Sequence, residues 1–286
     1  MLLGTWVSVV TAVLLIVPGA IVGRRMTLPW PVAIAAAPPL TFGIVSLFTV
    51  VYGAIGFEWN LVTALIAVII SFAAAWLYAA ALATRWGLRL APAPSGITTS
   101  ADGRLDSPFG RVAALRVGAG VALGAVIIAI TCIRPIVKTT FAGLNTVPQV
   151  WDSLWHASSL RWIADTGRGS SLRMGELMNY DTHGFNYYPN AWHALGALTM
   201  PITGANAVET YNTYSPATAA ITITFGVASL GYWLARRRLA PPTAALVAGT
   251  GAALAALFGS LPYVEVDLTS VPNAVGVSIA PIAAVL

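Results

Sequence analysis

The sequence predicts an all-α, multi-pass transmembrane helical bundle of about six spans plus a truncated one, with a large external loop of short interfacial helices. Three observations carry that prediction. The 286 residues are 57% hydrophobic and only 9% charged, against roughly 25% charged in an average soluble domain. Apolar runs recur along the chain at about the 20-residue length that a helix needs to cross a bilayer. The ionisable groups are also unevenly spread: the insert Pro148 to His193 holds all three histidines and four of the ten carboxylates.

The first span is Leu2 to Val22, closed by Gly23-Arg24-Arg25. No basic stretch precedes it and no small-residue cleavage site follows, so it reads as a retained helix. The second, Trp30 to Ile55, contains Pro38-Pro39, where the missing N–H and the ring interrupt the hydrogen-bond ladder, and a break is expected there. The third runs from Leu61 to Ala83 and ends at Arg85. Residues 1–90 thus form an N-terminal three-helix unit, and the Pro-, Ser- and Gly-rich residues 91–111 form a flexible cytoplasmic loop.

Residues 112–286 form the core. Its first span, Val112 to Ile133, ends at Arg134-Pro135. After the external loop, residues 134–214, come the spans Pro216 to Leu234, closed by three arginines, and Pro241 to Leu261. The final run from Val271 is still apolar at Leu286, short of the roughly 20 residues a span needs, so further spans are expected beyond residue 286.

Basic residues collect in cytoplasmic loops. Placing Arg24-Arg25, Arg85 to Arg116 and Arg236 to Arg238 inside puts ten of fifteen Lys and Arg there, and leaves eight of ten carboxylates and every histidine outside. The protein is therefore expected in the plasma membrane with its main loop extracellular or periplasmic. One condition applies. The apolar piece Ala191 to Ile202, at about 12 residues, must lie re-entrant or at the interface, being too short to span. The net charge of +5 is then a topology signal and gives no reason to expect nucleic acid. The single cysteine, Cys132, excludes an intramolecular disulfide and a cysteine metal cluster.

Within the loop, Trp151 to Ala164 reads as a helix, with Pro148 suited to its first turn and Gly167 to its stop. Asp152 and His156 are four residues apart and share one face, close to Ser159. They suit a base with an orienting partner, or two ligands of a divalent cation; an amphipathic helix with an ordinary Asp-His contact would look the same. The following stretch, Asn179 to His193, combines Asp181, His183, Tyr187, Tyr188, Asn190 and His193 with five Phe, Tyr or Trp rings. Aromatic faces beside amides and carboxylates suit a sugar, and a membrane-interface aromatic belt has the same composition. Arg161, Arg168 and Arg173 lie outside against the charge rule, and binding a lipid-linked phosphate would give them a purpose. No Gly-rich phosphate loop, HExxH or DxD is present, the nearest to the last being Glu265-Val266-Asp267.

The span leading out, the large loop opening with the acid Asp152 and carrying surface helices, and the span returning resemble the core of GT-C-type integral membrane glycosyltransferases over about Val112 to Leu261. Asp152 to Gly167, Tyr188-Pro189 and His193 are also similar to a family of uncharacterised actinobacterial multi-pass proteins. The resemblance implies a cell-envelope (cell wall) glycosyltransferase with a polyprenyl-phosphate sugar donor, an external glycan or lipid acceptor, inversion at the anomeric carbon, and Asp152 as base. Two other classes compete: a transporter or flippase of a lipid-linked or polar substrate, and a non-catalytic membrane assembly subunit.

Overall fold

The structure is a computed structural model that describes residues 2–85, 110–139, 142–148, 150–178, 186–268 and 270–285. It is an all-α multi-pass bundle. Among the described residues five helices are long and apolar enough to cross a membrane, or six if a bent pair counts as one span.

Helix α1 (Leu2–Arg25) contains Pro18, and a side chain from another helix mends the ladder beside it. The Thr41 hydroxyl accepts from the Gly19 N–H at 3.0 Å and donates to the Leu15 carbonyl at 2.8 Å. It thus sits between a donor and acceptor that would otherwise bond each other. The expected break near Pro38-Pro39 falls at Ala36, which separates α2 (Trp30–Ala35) from α3 (Ala37–Ile55). The two prolines occupy the first turn of α3, where a missing N–H leaves no hydrogen bond unmade. Helix α4 (Leu61–Arg85) starts at Asn60, whose side chain accepts from the N–H groups of Val62 and Thr63. It leaves Val62, Leu65, Ile69 and Leu77 exposed, the surface that a membrane helix offers to lipid.

Helix α5 (Arg111–Thr139) runs on through Pro135, six residues past the end expected at Ile133. A proline this close to the end removes one N–H without ending the helix. After a 3-10 turn, Gly143–Asn145, the chain makes four short helices: α6 (Trp151–Thr166), α7 (Gly175–Met178), α8 (Ala191–Ala197) and α9 (Thr199–Thr203). Then comes α10 (Ala207–Ala235), which begins nine residues before the Pro216 start read from the sequence. The helix start is a capping box: Asn206 accepts from the Val208 and Glu209 N–H groups, and Glu209 accepts from the Asn206 N–H. The loop between spans is accordingly shorter than residues 134–214. Helix α11 (Pro241–Leu254) continues through a 3-10 turn and, after a 45° bend, a π-helical segment into α12 (Glu265–Asp267). The last described helix is α13 (Val271–Val285).

Helix α10 is the hub. It packs against α1, α5, α6, α8, α11 and α13, so the N-terminal helices join the same body as the core. Helices α5 and α11 pack closely through small residues: a Cβ on Gly120 would lie 2.0 Å from the Gly249 carbonyl oxygen, and one on Gly124 2.3 Å from that of Ala252. This close backbone approach, through a G-x-x-x-G pair, is how membrane helices gain packing without a hydrophobic drive. The α10 face buried among its neighbours is rich in hydroxyls, and Thr213, Thr218, Thr222 and Thr224 each donate back to the carbonyl four residues earlier. Back-bonding is what allows such residues to sit in a low-dielectric interior.

The short helices gather at one end. The Trp59 N–H donates to the Gly167 carbonyl at 2.7 Å, placing the α3–α4 turn beside the end of α6. Asn212 donates to the Leu144 and Thr146 carbonyls, fixing the segment that leads into α6.

Candidate functional site

Helix α6 is stopped by Gly167 in the left-handed region, φ +67°, as its sequence predicts. Pro148 lies outside it: Val150 is the N-cap, and Ser153 Oγ donates to the Pro148 and Val150 carbonyls. One side of α6 is buried, with Ser153, His156, Ala157, Leu160 and Ile163 turned inward. Asp152, Trp155, Ser159, Trp162 and Thr166 follow at intervals of three and four, the spacing of one continuous stripe. The stripe runs along the edge of the buried side, and all its members but the buried Ser159 are half-buried.

Helix α8 is held inside the fold, with Trp192 to Ala197 buried. The Trp59 indole donates to the Ala194 carbonyl at 2.9 Å, the Tyr214 hydroxyl to the Trp192 carbonyl at 2.8 Å, and the Trp192 indole to Thr218 Oγ1 at 3.0 Å. The apolar piece from Ala191 is thus two short helices wedged among α3, α6 and α10.

This packing joins two histidines that lie 37 residues apart. His156 Nδ1 is 2.8 Å from His193 Nε2, and both rings are buried. Around them stand Trp192, Tyr211 stacked on His156, and Tyr188 against His193. Burial drives the His193 pKa well below the ordinary imidazole value, and the neighbouring His156 pushes it the same way. Among the described residues its Nδ1 has no hydrogen-bond partner. A single N···N contact accommodates one proton, so the geometry itself opposes two imidazolium rings here.

Asp152 and His156 come from the same helix face, yet no hydrogen bond joins them. His156 turns inward to His193 and Asp152 stays at the rim. Tyr188 meets the Trp155 ring edge-on, with centroids 5.4 Å apart. Burial raises the Tyr188 phenol above its usual pKa. Donation from the Trp155 indole opposes the rise, and Asp152 adds to it. Asp152 is therefore within electrostatic reach of Tyr188, and among the described residues its carboxylate has no hydrogen bond or ion pair. Other loop carboxylates are engaged: Asp165 by Arg161 at 2.6 Å, and Glu176 by both Arg168 and Arg173. Glu209 is tied into the α10 cap and accepts from Asn145.

Of the residues singled out by sequence, His156, His193, Tyr188 and Asp152 thus come together. Asn190 is buried nearby, donating to the Gly169 carbonyl at 3.2 Å, with its own Oδ1 unpartnered among the described residues. Tyr187 stands away, 63% exposed. Asp181 and His183 lie outside the described residues. Arg161 and Arg173 are half-exposed and already ion-paired. Among the described residues no group of three or more His, Cys, Asp or Glu is placed to hold a metal ion, and Asp152 with His156 offers two ligands. Sequence reasoning missed Tyr211 and Trp155 as ring partners of the cluster, as well as a cleft at the far end of α6. The aromatic spacing of Trp155 and Trp162, seven residues apart, was the available signal.

Residues 12–286 match a family of unknown function, DUF6541, and the chain belongs to that family. No curated protein and no solved structure matches it.

Proposed function

We propose that this chain is a cell-envelope glycosyltransferase that takes its sugar from a polyprenyl-phosphate donor at the external membrane face, with Asp152 as the base. The observation that carries the reading is the state of Asp152: a half-buried carboxylate without a partner among the described residues, at the rim of a histidine and aromatic cluster, on a short helix folded against one end of a membrane bundle. A carboxylate in such a place is available for proton transfer. It would remove the proton from an acceptor hydroxyl. The acceptor oxygen would then bond to the anomeric carbon as the bond from that carbon to the lipid phosphate breaks, and the electron pair would leave with the phosphate.

The buried His156–His193 contact locks the inner side of α6 against α8, so the two histidines act as positioning residues for the stripe that carries Asp152. Arg161 and Arg173 were set against the donor phosphate by the sequence; carboxylates already hold both, so Asp152 carries the chemistry. Ion-coupled transport finds less support, since ionisable groups inside the spans usually mark such a pathway. Among the described residues the five straight spans carry one carboxylate, Glu209, in the first turn of α10 and tied into its cap, and the bent pair carries Glu265 and Asp267 only at its end.

The test is sugar transfer from a radiolabelled polyprenyl-phosphate sugar by membranes containing D152N. Loss of transfer at normal protein levels is expected, by about a hundredfold or more, the contribution of a positioned base. Unchanged transfer would remove Asp152 from the reaction and favour a non-catalytic subunit.

A further inference from the structure

Helices α1, α4 and α10 all start at the end of the bundle that holds the short helices. A Cβ on Gly4 would lie 3.3 Å from the Leu144 side chain, α4 follows the turn bonded to Gly167, and α10 follows the Asn206 cap. Their other ends therefore lie at the opposite end of the molecule. There Arg24, Arg25 and Arg236 to Arg238 collect with Arg111 and Arg116 from the first turns of α5. Every described carboxylate, from Glu58 to Asp267, belongs to the other end, and among the described residues none of these arginines has an ion pair.

Arg25 is the informative member of the group. Its guanidinium lies against the rings of both Phe72 and Trp76, 5.4 Å from each centroid. These rings continue the exposed stripe of α4 that includes Leu65 and Ile69, at intervals of three and four, and are themselves 38% and 49% exposed. Trp76 precedes Leu82, where the apolar stretch of α4 ends, by six residues or about 9 Å. The charge is thus held within the depth of a spanning helix, on a surface that faces lipid. It is half-buried, and among the described residues it makes no hydrogen bond or ion pair. Charges at such depth are almost always paired. Arg24 differs, since it donates to the Leu28 carbonyl at 2.8 Å and lies over the Trp30 ring.

We infer that Arg25 binds the phosphate of an anionic phospholipid at this surface. The aromatic rings take the flat face of the guanidinium and leave its N–H edge to fork onto two phosphate oxygens. The acyl chains of the same lipid would lie along the exposed stripe of α4. A net-negative headgroup suits this end better than a zwitterionic one, whose ammonium would enter a field of arginines that no described carboxylate relieves. The site lies at the opposite end of the bundle from Asp152, so it does not rest on the transferase reading.

The test places the full chain in nanodiscs of equal parts phosphatidylglycerol and phosphatidylcholine and counts the lipids it retains by native mass spectrometry. The wild type should retain phosphatidylglycerol over phosphatidylcholine by about tenfold, the factor for one charge-assisted hydrogen-bonded contact. R25Q should lose most of that preference. R25K, which keeps the charge without the fork, should keep part of it. R238Q, which removes an exposed charge at the same end, should keep all of it. W76L leaves the charge in place and removes one ring, so a several-fold loss there reports on the site whatever R25Q does to folding. Equal retention of the two lipids, an unchanged preference in R25Q or in W76L, or an equal loss in R238Q, the mark of diffuse surface charge, would each overturn the assignment. Displacement of the lipid by excess soluble glycerol phosphate would give the site to a free phosphate and overturn it as well.

Discussion

Acidification should weaken this fold through His193, and the size of the effect can be worked out. The ring is fully buried, its Nε2 meets His156 Nδ1 at 2.8 Å, and among the described residues its Nδ1 has no partner. Folding therefore holds it neutral, with a pKa well below the ordinary value of 6.5. The sign follows: between the folded and unfolded pKa values the unfolded chain binds the extra proton, so stability falls as pH drops below about 6.5. Lowering the pH from 7.5 to 5.5 then removes stability on the order of 1 kcal/mol through this one residue. The comparison is the pH dependence of unfolding in detergent for the wild type and for H193Q, whose amide stays polar near His156 and does not titrate. H193Q is expected to lose the corresponding share of the acid sensitivity, whatever its stability at neutral pH. Equal pH dependence in the two proteins would refute the buried neutral pair.

Two substitutions probe the packing that builds the site. Gly196→Ala would place a Cβ 2.7 Å from Leu160 and 2.8 Å from Tyr214, both fully buried; overpacking of about 1–3 kcal/mol should lower the thermal midpoint, and an unchanged midpoint would mean that α8 is not wedged there. Thr41→Val removes the hydroxyl that bridges Gly19 and Leu15 in α1, and should cost about 1–3 kcal/mol by leaving buried backbone groups unmatched; a neutral outcome would show that α1 closes its own ladder.

Much of this architecture could be read from the sequence because local chemistry dictates it. Pro38-Pro39 marks the break between α2 and α3, Gly167 stops α6, and the charge distribution outlines the spans. The start of α10 was misplaced at Pro216, although Asn206 and Glu209 carry the capping-box spacing. The stretch between them and Pro216 is polar because Tyr211, Asn212 and Tyr214 serve the loop and the histidine cluster, and in a membrane protein that polarity reads as loop. Pro135 misled in the opposite way, since α5 continues to Thr139. That extension brings Asp152 to 13 residues past the end of the span. The sequence placed Asp152 and His156 on one face, but only tertiary packing reveals that His156 turns to His193. The cleft was beyond reach by pattern alone, because it joins Glu58 and Phe57 to residues more than a hundred positions later.

The transferase reading requires the short helices to face away from the cytoplasm. Tyr187 is 63% exposed and the single cysteine, Cys132, is buried, so Y187C in a C132A background gives one accessible thiol in this segment. With a membrane-impermeant maleimide, intact cells should label fully before they are opened. Labelling that appears only after permeabilisation would put Asp152 on the cytoplasmic side and contradict the account.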